Sequence, residues 1–299
     1  MMSTRQALRN HLNGPQAIVA AGVGDAGQAR LAERVGYPAV YMSGSYVNHT
    51  RGFPDGTLTL SEIAQRLGEI SARVSVPVIA DGDEGFGGVL KVARTIREFE
   101  QAGAAAIQLE DFALKKHGLP MPVSDMVTNL RLALDTRVDK DMVIIARTDA
   151  MSPWRDGIST DRKACEEEAF ERAMRYCEAG ADAIMPLFAT NEWLERYGPR
   201  IPKPLMILGG APQNWSGQSG NVRSEKTASG LSAWNVRTVI FATNMLSRTH
   251  RFMETQYAQW LADGRFELLP QDEIDRADAN VLVGLPEKER ILAQYPYAH

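Results

Sequence analysis

Eight short apolar runs, each without polar alternation and nearly all followed by an amphipathic stretch or a loop, constrain this chain more than any other feature. They are Ala17–Ala21, Ala39–Met42, Val76–Asp81, Ala105–Leu109, Met142–Arg147, Ala183–Leu187, Pro204–Leu208 and Thr238–Ala242. They are rich in Val, Ile and Ala, as expected of strands buried on both faces. Between them lie helical patterns at Asp25–Val35, Leu60–Arg73, Leu90–Ala102, Val123–Arg137, Asp161–Ala179 and Asn191–Tyr197. An internal echo supports the reading. Ala102-Gly-Ala-Ala-Ala-Ile107 and Ala179-Gly-Ala-Asp-Ala-Ile184 each look like a helix ending at Gly and entering a strand, 77 residues apart. That spacing holds two βα units of roughly 40 residues each. Eight such strands predict an α/β fold, a (β/α)₈ TIM barrel. A doubly wound open sheet is the competitor, but eight strands are many for it, and no GxGxxG follows the first run.

The chain has 299 residues, 44% of them hydrophobic, enough for one large core. We expect a single domain over 1–299, with the barrel at about 16–263 and a C-terminal extension at about 264–299. That tail is too long to be a barrel cap alone, so packing against another subunit is expected. The segments Met151–Ser159 and Gly209–Gly220 read as long irregular loops of the kind that often act as lids or inserts. The net charge of −4 is mild and the basic residues are scattered, which argues against nucleic acid as a partner. No apolar run reaches the ~18 residues of a membrane span, and the N-terminus lacks the apolar core of a secretory signal. Two cysteines, Cys165 and Cys177, are too few for a disulfide scaffold. A reducing cytoplasm is the expected location.

In a barrel, strand C-termini build the site, and here they carry Ser43-Gly-Ser45, Asp81, Asp83, Glu110-Asp111, Arg147-Thr-Asp149, Leu187 and Leu208. Asp81 and Asp83 stand two residues apart, so on a strand they point the same way. Two carboxylates repel unless a cation separates them. A capped turn is the plain alternative, because Asp favours turns and Gly85 and Gly87 permit them. With Glu110 at another strand end, a Mg²⁺ site is the better reading, Mn²⁺ also being possible. Arg147 is either an ion-pair partner of Asp149 or Glu110, or a bidentate clamp on a substrate carboxylate. Ser43-Gly-Ser45 is either a strand-to-loop turn or a donor of hydroxyl and N–H groups to an anion. Gly85-Phe-Gly-Gly88 reads as a tight turn near the metal. His117 in Lys115-Lys-His-Gly-Leu-Pro120 and His49 are loop histidines, each solvated or a proton donor.

These residues resemble the isocitrate lyase/phosphoenolpyruvate mutase superfamily, nearest its methylisocitrate-lyase-like branch. The resemblance runs from about Gln16 to Leu187. It rests on Gly36-Tyr-Pro-Ala-Val-Tyr-Met-Ser-Gly-Ser45, Gly52-Phe-Pro-Asp55, Asp81-Gly-Asp-Glu-Gly-Phe-Gly87, Ala93-Arg-Thr95, Ile107-Gln-Leu-Glu-Asp111 and Ile145-Ala-Arg-Thr-Asp149. It implies a (β/α)₈ barrel whose terminal helix is exchanged between subunits, usually in a tetramer. It also implies Mg²⁺ on Asp81, Asp83 and Glu110, with a substrate carboxylate on Ser43, Gly44, Ser45 and Arg147. Tyr41, Gly118 and Asp81 join that substrate set by the same resemblance, and Asp55 becomes a residue around the metal and its waters. The implied chemistry forms or uses an enolate of a 2-oxo acid on Mg²⁺.

The chain also departs from the family. The lyases carry Lys-Arg/Lys-Cys-Gly-His on the gating loop, where this chain has Lys115-Lys-His-Gly-Leu119. Phe112 follows Asp111 where the mutases have Lys, which argues against phosphoryl transfer. Leu187 replaces a Glu at the sixth strand, and an Asn near the end of the seventh is missing, with Leu208 and Gly209 there. The metal half of the site is thus kept and the substrate half rewritten. We expect a Mg²⁺-dependent carbon–carbon lyase acting on a small 2-hydroxy- or 2-oxo-carboxylate, with His117 as acid/base. An oxaloacetate-type decarboxylase is the nearest variant and a phosphonate hydrolase or mutase a distant one. A non-catalytic barrel that binds a metal–carboxylate complex is the competing class.

Overall fold

A computed structural model describes residues 2–112, 119–209, 228–264 and 274–295. Eight parallel strands close in sequence order into a barrel. They are β1 (Ile18–Val23), β2 (Ala39–Met42), β3 (Val78–Asp81), β4 (Ala106–Glu110), β5 (Val143–Thr148), β6 (Ala183–Pro186), β7 (Leu205–Leu208) and β8 (Val236–Phe241). The pairing of Ile18 with Thr238 and Ala20 with Ile240 closes the ring. The expected runs coincide with these strands to within about two residues, the usual scatter of element ends.

Apart from β1, where Val19 is exposed, the strands are buried on both faces, which explains the missing polar alternation. Tyr41, Ile79, Ala106, Ile145, Met185 and Met206 pack inside the barrel. Val40, Ala80, Ile107, Ile144, Ile184 and Ile207 pack outside it, under the helices. The period of two then decides which strand-end residues face the axis. Ser43, Asp81, Gln108, Glu110, Arg147, Leu187 and Leu208 all continue the inward rows.

The helices are α1 (Thr4–Asn13), α2 (Ala26–Arg34), α3 (Gly44–Thr50), α4 (Leu60–Ser71), α5 (Val89–Gln101), α6 (Val123–Thr136), α7 (Ser152–Arg155), α8 (Arg162–Glu178), α9 (Asn191–Tyr197), α10 (Ala228–Ser232), α11 (Asn244–Asp263), α12 (Arg276–Leu282) and α13 (Leu285–Gln294). Gly103 and Gly180, the glycines of the internal echo, have φ of +96° and +101°, the left-handed conformation that ends a helix before the next strand.

Several helices, α3 among them, depart from the sequence expectation. Helix α1 precedes the expected start of the barrel and plugs its N-terminal end. Leu8 and Leu12 join the inner core, Arg5 bonds the carbonyls of Glu100 and Ala104, and Arg9 pairs with Asp182 at 3.1 Å. Helix α7 lies inside the segment read as an irregular loop, and α12 and α13 lie in the extension read as a polar tail. Of the expected long loops, Gly209–Gly220 falls outside the described residues beyond Gly209. Among the described residues no helix is long and apolar enough to cross a membrane.

Candidate active site

The polar residues that end β2 to β5 share one end of the barrel. Asp81, Asp83 and Glu110 each offer a carboxylate oxygen, and the three oxygens lie within 4.8 Å of one another. The backbone secures this cluster. Glu110 N–H donates to the Asp83 carbonyl at 2.9 Å, and Gly82 N–H to the Gln108 carbonyl at 2.9 Å. Asp83 has φ of +45° and Phe86 +60°, a region Asp tolerates better than most residues. The Thr95 hydroxyl holds the Gly85 carbonyl of the same turn at 3.0 Å.

Gly44 fits against both aspartates. A Cβ there would sit 3.2 Å from Asp83 Oδ1 and 3.5 Å from Asp81 Oδ2, and its N–H donates to Asp81 Oδ2 at 3.2 Å. Ser43-Gly-Ser45 is therefore the start of α3 rather than a turn. Ser43 caps that helix, its hydroxyl accepting the Tyr46 N–H at 3.4 Å, and Ser45 is half-buried in its first turn.

Arg147 meets both of its expected ion-pair partners. Its Nη1 lies 2.7 Å from Glu110 Oε2, while Nε and Nη2 bond the two oxygens of Asp149 at 2.8 and 2.9 Å. The register sets this up by placing Glu110 beside Arg147. Burial raises the Asp83 carboxyl well above the usual carboxylate range, helped by the charges of Asp81, Asp55 and Glu84. Burial raises Glu110 as well, outweighing the attraction of Arg147. Crowded anions of this kind are relieved by a cation. The donors are all carboxylate oxygens, with no His or Cys in the group, the chemistry of a hard divalent ion.

Asp55 is exposed on the segment between α3 and α4 and is not part of the three-carboxylate cluster. Crowding by surrounding protein and then the charge of Asp81 hold its carboxyl above the usual range, so it stands within electrostatic reach of the site. Tyr41 lies on the floor, its hydroxyl donating to Gln108 Oε1 at 2.6 Å. Burial, followed by Asp81, raises its pKa well above the ordinary value, so Tyr41 keeps its proton. His117 and Gly118 lie outside the described residues. His49 is exposed on α3 with Nδ1 on the Ser45 carbonyl at 2.7 Å.

Gln108 is the residue the sequence reading missed. It is fully buried and bridges Tyr41 to Glu110, donating to Glu110 Oε2 at 3.3 Å. The signal was available, since it is an amide in an otherwise apolar strand, two residues before Glu110 and therefore on the same face. Across the barrel the ends of β6 to β8 present Leu187, Leu208 and Ala242, so the described mouth is acidic and basic on one side and apolar on the other.

Residues 8–261 match the family described as phosphoenolpyruvate phosphomutase, beyond both ends of the stretch Gln16–Leu187. The chain is 42% identical over 192 residues to a 2,3-dimethylmalate lyase of Eubacterium barkeri, 61% of this chain and 63% of that one. It is 40% identical over 208 residues to a 2-methylisocitrate lyase of Aeropyrum pernix, 67% of this chain and 63% of that one. The chain thus spans 63% of the length of either curated relative. The crystal structure of a 2,3-dimethylmalate lyase superposes with a TM-score of 0.83 at 28% identity, covering 98% of this chain and 99% of that one.

Proposed function

The chain belongs to the phosphoenolpyruvate phosphomutase family, and from that premise we propose that it is a Mg²⁺-dependent carbon–carbon lyase acting on a 2-hydroxy- or 2-oxo-carboxylate. One observation carries the proposal: three carboxylates within 4.8 Å beside an arginine already oriented by a fourth. Relatives named as lyases support it. In this reading Asp81, Asp83 and Glu110 hold the cation. Mg²⁺ suits an all-oxygen set, and Mn²⁺ is the alternative. When bound, the cation supplies a Lewis acid that takes up negative charge developing on a substrate oxygen.

The protein's own residues do the rest. Asp149 occupies two nitrogens of Arg147, so the Nη1 edge facing Glu110 is the one offered to a substrate carboxylate. Ser43, Gly44 and Ser45 at the start of α3 flank that carboxylate, and Tyr41, whose proton is held on Gln108 Oε1, forms the neutral floor beneath it. Loss of the 2-hydroxyl proton turns that carbon into a carbonyl as the C2–C3 bond breaks. The electron pair passes to C3, which then takes up a proton. His117 is the proposed carrier of that proton, with Gly118 beside it on the substrate side and Asp55 at the mouth ordering water around the metal. Leu187, Leu208 and Ala242 receive the departing fragment.

We further read the chain as one domain, because α12 is tied to α2 by the Arg34–Asp278 pair at 2.6 Å. We read it as a homotetramer, because α11 buries only Leu246 of its 20 residues. A reducing cytoplasm is supported by free thiols at Cys165 and Cys177, three turns apart on one helix and unable to bridge.

The test is release of pyruvate, glyoxylate or another carbonyl product from a panel of 2-hydroxy and 2-oxo acids, oxaloacetate included, with Mg²⁺ and then with EDTA. Turnover that EDTA abolishes and Mg²⁺ restores is expected, and His117→Ala should lower it at least tenfold. Release of CO₂ alone reassigns the protein to decarboxylation. Absence of Mg²⁺-dependent turnover across the panel sinks the lyase reading and leaves the non-catalytic barrel.

A further inference from the structure

Asp111 follows Glu110 and so points the opposite way, out of the barrel toward α8. There it is fully buried and accepts three hydrogen bonds. Its Oδ2 takes the Tyr176 hydroxyl at 2.7 Å and Arg172 Nη1 at 3.1 Å. Its Oδ1 takes the backbone N–H of Asp149 at 2.7 Å. Tyr176 and Arg172 stand four residues apart, on one face of α8. Asp149 in turn grips Arg147 through both carboxylate oxygens, with the Ser152 hydroxyl on Oδ1 at 3.3 Å. A continuous hydrogen-bonded chain therefore runs from α8, through Asp111 and Asp149, to the guanidinium that faces Glu110.

The same residues secure the return of the chain after β4. Arg172 Nη1 donates to the Met121 carbonyl at 2.8 Å, Met121 N–H donates to the Asp111 carbonyl at 2.6 Å, and Phe112 bridges Pro120. A buried ion pair of this kind adds little net stability over well-packed apolar residues. What it adds is direction, since each member has its angle fixed by the next. The planar fork of Arg147 needs that, because bidentate recognition of a carboxylate fails when the guanidinium is turned.

We infer that Tyr176 and Arg172 are positioning residues that aim Arg147 through Asp111 and Asp149. The inference rests on the reading of Arg147 as the substrate's carboxylate clamp. It is tested on the full chain with Tyr176→Phe, which keeps the ring, and with Arg172→Met and Arg172→Lys. The binding probe is oxalate with Mg²⁺, followed by calorimetry. Loss of one aiming hydrogen bond should raise Kd about three- to tenfold. KM for whichever acid is turned over should rise in step, with kcat changing less. Arg172→Lys should recover part of the loss that Arg172→Met shows. A purely structural role would instead lower the melting midpoint and leave Kd and KM of the folded protein alone.

A crystal structure of the Tyr176→Phe variant supplies a readout that needs no ligand: the Arg147 fork should swing off Asp149. If the wild-type protein binds no oxalate, the lyase reading is what fails, and that crystal structure alone decides the positioning role. Unchanged affinity, or an unmoved fork where no oxalate binds, overturns the inference.

Discussion

Gln108 shows how much of the site depends on a single uncharged side chain. Its carbonyl accepts the Tyr41 hydroxyl and its amide donates to Glu110, all in a fully buried setting. Replacing it with Leu takes the acceptor from the buried Tyr41 hydroxyl, a loss of about 1–3 kcal/mol, while Glu110 Oε2 keeps Arg147. Gln108→Leu should therefore lower the urea midpoint measurably. It should also weaken Mg²⁺ binding, because Glu110 loses the bond that orients it, and calorimetry with Mg²⁺ alone checks this. A destabilised variant with unaltered Mg²⁺ affinity would show that Gln108 serves the fold only. At this scale Asp81 and Glu110 were legible because they end strands whose period of two fixes the inward row, whereas Asp83 lies past the end of β3 in a turn. Gln108 was overlooked because it looks like one more residue of an apolar run. The Asp83 and Phe86 conformations and the direction of the Arg147 fork were not legible, since they depend on contacts between separate strands.

Among the elements, α1 carries the most consequence for its length. A capping box joins Ser3 and Gln6, and Leu8 and Leu12 close the base of the barrel. Both signals are local: Ser-x-x-Gln, then apolar residues at i and i+4. The helix was missed because the apolar runs drew the start of the fold to Ala17. Helix α3 was missed for a different reason: the glycine and β-branched residues within Gly44–Thr50 favour a turn, and the Ser43 cap, the burial of Tyr46 and Val47 and the docking of Gly44 against Asp81 and Asp83 hold the helix there.

Leu8 is wholly buried, so Leu8→Ala should cost about 2–5 kcal/mol, read as a shift in the denaturation midpoint. Acid should act on the same element. The hydrogen bond from Arg5 lowers the Asp139 pKa below its ordinary value. That contribution is present above the unfolded carboxylate pKa and is lost as pH falls through the lower folded value. The protection of α1 amides against exchange, taken relative to the intrinsic rate at each pH, should therefore fall below about pH 4. In an Arg5→Met variant α1 should already exchange faster at neutral pH, and it should show less of this acid dependence.

At the scale of the whole molecule, the barrel is closed and well packed, yet its C-terminal helices are dressed for contact with something else. Helix α11 spans about 30 Å and exposes Met245, Phe252, Tyr257 and Leu261, the last at 88%. Helices α12 and α13 and the turn between them add Val281, Val283, Ile291 and Leu292, all exposed. An apolar surface of this extent is what an interface would cover. The sequence showed the length of this extension but not its helices. Neither α12 nor α13 buries a residue among the described ones, so no buried face marks them as helices.

If a second copy covers these helices, light scattering should give a mass of roughly four times 32.9 kDa, with the dimer as the step below it. Tyr257→Asp and Leu261→Asp together should shift the population to smaller species. The barrel itself should survive, because neither side chain touches its core. A wild-type monomer at micromolar concentration would remove the self-association reading. The two aspartates leave the site side chains untouched, so the effect of assembly on catalysis follows from the same variant. Turnover lost on dissociation means that a neighbouring copy completes the mouth of the barrel, and turnover kept means that each barrel works alone.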